Sequence, residues 1–288
     1  MFLGYTTKTV ISFSKLGKYG RLGNQLFQYA FLRSQAERLG VPFYCPAWIG
    51  DTIFALDDSS IKGESFTPAS HYLEDPGQHG FSEDAITIKD DTDVEGYFQT
   101  EKFFNREDVL RWFSFNEHLF EEVRKKYGAV NFDSATALHV RLGDYLIPSL
   151  MFYIPTSSYF KRAVAELDPK GQILVFSENP SLARKYLGEL SKRCLFVEGN
   201  KDYEDFYIMT QCKDIVISSS SFSWWAAYLN RHNDKRVIMP MSWFIPTCPV
   251  VNNDIFVDGW KRLKAHRVIR DNYYFRYFLV NFRRFLGK

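Results

Sequence analysis

The sequence predicts an α/β protein with doubly wound parallel sheets, arranged as two domains that share one cleft. Three observations carry this. Runs of β-branched and apolar residues alternate with helix-period stretches along much of the chain, the pattern of βαβ units rather than of a sandwich or a bundle. Both halves open with a strand followed by a turn into a helix. The length of 288 residues is long for one compact domain and short for three.

The first half opens with a strand at Val10–Phe13, a loop bearing Gly17, Gly20 and Gly23, and a helix from about Asn24. Leu26, Phe27, Ala30, Phe31 and Leu39 suit one buried face of that helix, and Gly40 is a natural stop. The stretch Trp48–Asp93 is rich in Asp, Ser, Gly and Pro and reads as loops and short elements that shape an acceptor site. Within it the acidic run Asp90–Asp93 reads as a solvated loop. A strand at Val94–Phe98 and a helix reaching to about Tyr127 follow, and the break in periodicity at Tyr127–Ser134 marks the domain boundary.

The second half alternates more cleanly. Strand Ala135–Leu142 leads to helix Ser157–Leu167, strand Ile173–Ser177 to helix Pro180–Leu190, and strand Leu195–Val197 to helix Asp202–Cys212. Strand Asp214–Ser218 feeds helix Phe222–Asn230, and Val237–Pro240 is the fifth strand. The expected organisation is residues 1–130 on the acceptor side, 131–259 as a nucleotide-binding unit, and 260–288 as a basic, aromatic C-terminal helix or tail.

Composition narrows the function classes. With 45% hydrophobic and 24% charged residues, and 27 Phe, 17 Tyr and 6 Trp, the chain is neither disordered nor a disulfide scaffold. The net charge of +2 argues against a nucleic-acid coat. It conceals an asymmetry: from Trp260 to Lys288 nine Lys or Arg face one acid, Asp271, so this segment carries +8 and the remainder −6. The segment 271–288 mixes Tyr and Phe with Arg, as a helix on an anionic membrane surface would; packing back on the first domain is the alternative. Cys45, Cys194, Cys212 and Cys248 form no metal-spaced pair. No stretch approaches the roughly 20 apolar residues of a spanning helix, and the N-terminus lacks signal-peptide character. The expectation is a soluble cytoplasmic protein, with peripheral contact at the inner face of a membrane as one of the two readings of 271–288.

Ligands of open parallel sheets bind beyond the carboxyl ends of the strands. There the second half presents His139, Arg141 and Asp144 after its first strand, Glu178 and Asn179 after its second, and Ser219–Phe222 after its fourth. Taken singly, an arginine at a strand end reads as a surface ion pair, a histidine as a satisfied half-buried residue and a serine run as a helix cap. Three polar strand ends in one sheet point instead to a nucleoside diphosphate. Arg141 offers a bidentate fork, the helix opening at Ser220–Ser223 offers free N–H groups and a positive dipole end, and Glu178 suits a guanine edge. Arg141 then takes the role of a metal in neutralising a leaving diphosphate, and no metal site is expected. The loop Gly20–Gln25 lacks the first close glycine pair of a dinucleotide fingerprint, which leaves a nicotinamide enzyme a weak alternative. Asn24 and Gln25 read either as donors to a sugar or phosphate or, for Asn24, as a plain helix cap.

The segments GRLGNQLFQYA (20–30), GYFQTEKFF (96–104), HVRLGDY (139–145), VFSE (175–178) and the long run 205–230 ending in SSSSFSWWAAYLN resemble, in order and spacing, the alpha-1,2-fucosyltransferase family. The resemblance covers about residues 10–245. It implies two facing Rossmann-like domains of the GT-B type and metal-independent, inverting transfer of fucose from GDP-fucose to an acceptor glycan, alpha-1,2 to galactose. It implies that Arg141 binds the diphosphate, that His139 and Glu178 hold the guanine, that Ser220, Ser221 and Phe222 form the phosphate-side loop, and that Asn24 and Gln25 lie near the cleft. Leu142 stands where the family has a second arginine, Glu178–Asn179 where it has a pair of acids, and Ser219 where it has Asn. Asp144 is the first candidate base and Glu101 the second. A transferase for another nucleotide sugar, and a non-catalytic glycan- or nucleotide-binding protein, are the alternatives.

Overall fold

The computed structural model describes residues 9–18, 20–58, 67–142, 152–246 and 248–265. The segment 271–288, expected at a membrane or against the first domain, and Asp144 lie outside the described residues.

Two wholly parallel sheets organise the molecule. The first has the order β2-β1-β4-β3, with β1 at Ile11–Ser12, β2 at Phe43–Tyr44, β3 at Ser70–Leu73 and β4 at Thr92–Glu95. Its first connection is the helix α1 (Leu22–Leu39), closed by Gly40 in the left-handed region at φ 67°, whose N–H returns to the Ala36 and Glu37 carbonyls. The second sheet has the order β10-β9-β8-β5-β6-β7. Its strands are β5 (Thr136–His139), β6 (Ile173–Phe176), β7 (Cys194–Phe196), β8 (Asp214–Val216), β9 (Val237–Pro240) and β10 (Lys261–Leu263). β5, β6, β8 and β9 are buried on both faces, which is why their sequences read as continuous apolar runs.

The helices of this half fall close to their expected positions: α6 (Ser157–Leu167), α7 (Pro180–Leu187), α8 (Asp202–Gln211) and α9 (Ser221–Leu229). A 3₁₀ turn at Gly188–Arg193 completes the helix expected to reach Leu190. The sheet has six strands rather than five, because Lys261–Leu263 pairs in parallel with Ile238–Pro240; the basic C-terminal segment thus begins as an edge strand.

The first half departs more from expectation. Between 50 and 92 the short helices α2 (Gly50–Ile53) and α3 (Glu83–Ile86) accompany β3. The expected strand Val94–Phe98 lies two residues earlier, at Thr92–Glu95, so the acidic run enters the sheet. Asp93 is buried and accepts from Ser12 Oγ at 2.6 Å, Ser14 N at 2.8 Å and Ser14 Oγ at 2.6 Å. The expected long helix to Tyr127 is broken into a 3₁₀ turn at Glu101–Phe103, α4 (Arg106–Trp112), a second 3₁₀ turn at Glu117–Phe120 and α5 (Glu121–Lys126). Asn105 caps α4 by accepting from Glu107 N at 2.7 Å. The backbone of 114–116 is engaged elsewhere, with Ala55 N donating to Ser114 O at 2.8 Å and Asn116 N to Ile53 O at 2.9 Å.

The core joins the two sheets. One apolar cluster runs from Ile11 and Phe13 through α1 to α8, α9 and the faces of β5 and β8 that carry Ala137 and Ile215. A second cluster lies on their other face, with Leu138 and Val216, as the two-residue strand period requires. Phe27 of α1 sits 4.6 Å from Trp224 and 4.9 Å from Trp225 of α9, ring centre to ring centre.

Candidate functional site

In the second sheet β5 is flanked by β6 on one side and β8 on the other. The chain leaves β5 toward β7, then returns across it to β8, so the connections diverge at this point and open a crevice above the strand ends. A cavity of about 750 Å³ occupies it, walled by the ends of β5, β6, β7 and β8 and, opposite, by Gly20–Asn24 and Gln99.

β5 ends at His139, and Arg141 and Leu142 already lie in the following loop. Arg141 lines the cavity, whereas Leu142 is buried among apolar residues. The leucine in the place of a second arginine is therefore a packing residue. Glu178 holds this loop: its Oε1 accepts from Leu142 N at 2.7 Å and its Oε2 lies 3.8 Å from Arg141 Nη1. Ser218 Oγ, which donates to His139 O at 2.6 Å, accepts from Arg141 N at 3.4 Å. His139 is buried beside the Phe222 ring, 5.7 Å centre to centre, and its Nδ1 has no protein partner. Burial, reinforced by the Arg141 charge, pushes its imidazole down to about 3. It is therefore a neutral group at working pH.

Two helix starts open on the cavity. α9 begins after Ser220 and α1 after Arg21, and neither has a side-chain cap, so their first N–H groups remain available to an anion. The starts approach closely because residue 23 is glycine: a Cβ there would lie 2.4 Å from Phe222 N and from the Ser221 carbonyl carbon. Gly20, at φ +80°, makes the turn before α1 and lies against Asn24. Asn24 joins the walls, its Oδ1 accepting from Ser221 Oγ at 2.7 Å and from Gln99 Nε2 at 2.9 Å. It is the third residue of α1 rather than its cap.

Part of the lining is acidic. Glu198, Asp202 and Asp205 come from the loop after β7 and the start of α8, and Glu178 stands beside Arg141. Asp205 accepts from Asn200 Nδ2 at 2.8 Å, and burial pushes its carboxyl up to about 6. Among the described residues no group of three or more His, Cys, Asp or Glu is arranged to hold a metal.

Arg141, His139, Glu178, Ser220, Ser221, Phe222 and Asn24 thus meet in one cavity. Gln25 does not line it, since its Nε2 donates back to Gly20 O at 3.1 Å. Glu101 lies elsewhere as well. Burial raises its carboxyl, which takes hydrogen bonds from Tyr228 and from the Asp258 backbone; this second candidate base belongs to the packing around α9. Gln99 and Asp205 escape sequence reasoning. Applying the strand-end rule to β7 as well as to its neighbours would have reached the Asp205 loop.

The sequence model described as Glycosyl transferase family 11 matches residues 13–264. The O-antigen biosynthesis glycosyltransferase WbnK of Escherichia coli is 29% identical over 216 residues, 69% of this chain and 68% of that protein. The alpha-1,2-colitosyltransferase of Escherichia coli is 26% identical over 55% of this chain and 58% of its own length. Galactoside alpha-(1,2)-fucosyltransferase 2 of Oryctolagus cuniculus is 26% identical over 73% of this chain and 65% of its own length. The matched parts therefore leave about a third or more of each relative's length uncovered. Among solved structures, NodZ alpha-1,6-fucosyltransferase soaked with GDP-fucose is similar with a TM-score of 0.52 at 13% identity, over 77% of this chain and 93% of that one. POFUT1 in complex with GDP is similar with a TM-score of 0.54 at 12% identity, over 81% and 98%. These similarities show the GT-B type of fold expected from the sequence.

Proposed function

Because the chain belongs to glycosyl transferase family 11 and is thereby a glycosyltransferase, we propose that it moves L-fucose from GDP-fucose to a hydroxyl of a galactose-terminated glycan, making an alpha-1,2 linkage with inversion. The observation that carries this is the convergence, in one cavity, of Arg141, two uncapped helix starts and several carboxylates. A diphosphate suits the first side, which offers a guanidinium fork, backbone N–H groups and two positive dipole ends. A guanine edge, with its N1–H and amino donors, suits the second, where Asp205 accepts, with Glu178 beside Arg141 as a further acceptor. The NodZ structure soaked with GDP-fucose and the POFUT1 structure in complex with GDP have the same type of fold, which supports the choice of nucleotide.

The reaction is a displacement at the anomeric carbon. The acceptor oxygen forms a bond to C1 as the bond from C1 to the β-phosphate oxygen breaks, and the hydroxyl proton passes to a carboxylate. Arg141 and the N–H groups at the α9 start take up the charge that grows on the departing diphosphate, without a metal. Asp144, three residues beyond Arg141 in the chain, remains the candidate base.

The test is nucleotide release from a panel of GDP- and UDP-sugars, with NMR of the product linkage. GDP-fucose should be turned over. Arg141→Ala should lower kcat/KM by about 100-fold or more, the scale of losing one charge-stabilising donor; near-normal transfer by that variant would defeat the reading. A second reading, another GDP-deoxysugar as donor, is favoured by the colitosyltransferase relative and by Leu142 in place of an arginine. Preferential turnover of such a donor over GDP-fucose would select it.

A further inference from the structure

The turn between β4 and the first 3₁₀ segment is held in an unusual way. Phe98 adopts φ 50°, a left-handed conformation that is an outlier for a bulky side chain. Its ring lies flat on Phe31, 3.7 Å centre to centre. Three side chains pin the backbone of this turn. Gln28 Nε2 donates to Gly96 O at 3.1 Å and Asn252 Nδ2 to Gln99 O at 2.9 Å. From the other side Glu74, the residue after β3, accepts from Tyr97 N at 2.6 Å and from Phe98 N at 3.0 Å. Glu74 is 6% exposed, and among the described residues no Lys or Arg pairs with it. Gln28 and Asn252 grip the turn with neutral amides; Glu74 grips it with an ionisable group buried without a counter-charge. Local departures of this kind concentrate where function requires them.

What the turn delivers is Gln99, whose amide reaches Asn24 and through it Ser221 at the start of α9. We propose that Glu74 is a positioning residue for glycosyl transfer: its ionised carboxylate closes the Tyr97–Gln99 turn and so sets the starts of α1 and α9 against each other around the bound donor. The proposal rests on reading the cavity as the donor site.

The charge matters because a carboxylate accepts only, and accepts both N–H groups in short, charge-assisted bonds. A protonated carboxyl turns an O–H toward a backbone N–H and loosens the grip. Burial holds the Glu74 carboxyl at about 7, against the pull of the two N–H groups. The ionisable groups around it are Asp75, Tyr72 on β3 and, across the Tyr97 ring, His79, which burial keeps neutral. Ionisation of Glu74 near neutral pH thus tightens the turn.

The test uses the full chain with GDP-fucose and Glu74→Gln, Glu74→Asp and Gln99→Ala variants. Glu74→Gln should lower kcat by about tenfold, short of the ~100-fold that a 1 Å misplacement costs, with a smaller loss of GDP affinity because Arg141 and the second sheet are intact. The wild-type rate should show an acidic limb near pH 7 that Glu74→Gln loses and Glu74→Asp restores in part. Gln99→Ala should reproduce the loss of kcat without lowering the melting temperature. Hydrogen exchange in the absence of donor should speed up in Glu74→Gln at residues 97–98 and also at 221–223. Wild-type kcat with an unchanged acidic limb would overturn the proposal, as would faster exchange confined to 97–98, or a parallel loss of kcat, GDP affinity and melting temperature. If the wild type turns over no nucleotide sugar, the donor-site reading fails on its own, and the exchange measurement still decides whether Glu74 controls the α9 start.

Discussion

Glu178 has two oxygens with different duties: one fixes the loop after β5 through Leu142 N and the other faces Arg141. Such division of labour is set by residues within reach of one another, and strand ends bring them there. That much of the site was legible, because a strand of apolar residues followed by His139 and Arg141 announces where its end lies. Gln99 was not, since its reach depends on the left-handed turn at Phe98, which no residue type at that position signals. Asp205 was hidden inside the first turn of a helix. His139 supplies a test at this scale. Its imidazole titrates near its ordinary 6.5 in the unfolded chain and at about 3 in the fold, so the unfolded state binds more protons between these values. Its contribution to stability is present above pH 6.5 and is lost as pH falls toward 3, with a slope approaching about 1.4 kcal/mol per pH unit. Urea unfolding at pH 7.5, 6 and 5 should show the wild type losing more stability than His139→Gln over this range; equal losses would contradict the burial of a neutral ring.

Among the elements, α9 does the most. Its sequence is apolar nearly all round, which marks a helix enclosed on every side, and Trp224 and Trp225 are fully buried. Its first turn faces the cavity while its body packs on α1, and Gly23 sets how near the two come. Alanine in a helix is ordinarily better than glycine by about 1 kcal/mol, but here the added methyl meets backbone of α9, which cannot rotate away. Gly23→Ala should therefore cost about 1–3 kcal/mol, the range for overpacking, and should weaken GDP binding; calorimetric titration with GDP and thermal melts would measure both. A variant as stable as the wild type would place the contact looser than described. Elements with their own periodicity were readable in the sequence, as α6 to α9 show. The broken stretch 101–126 was not, because its interruption comes from the pairing of 114–116 with 53–55, a contact between distant parts of the chain.

For the whole molecule, the expectation of two domains sharing a cleft meets one apolar cluster that spans both sheets. A shared core of this kind couples the halves more closely than the polar interfaces usual between separable domains. Differential scanning calorimetry should accordingly give one transition with equal calorimetric and van't Hoff enthalpies, moved upward by GDP as a whole; two peaks, or a shift of only part of the trace, would show the halves to be independent. Among the described residues no helix is long and apolar enough to cross a membrane.

The aromatic contact of Phe27 with Trp224 and Trp225 also bears on recombination with relatives. Grafting the first half of another transferase would replace one side of that contact and leave the other, mismatching rings at the centre of the core. Viable chimeras would need to carry α1 and α9 together from the same parent, with exchange confined to segments such as 67–91 that lie outside this contact.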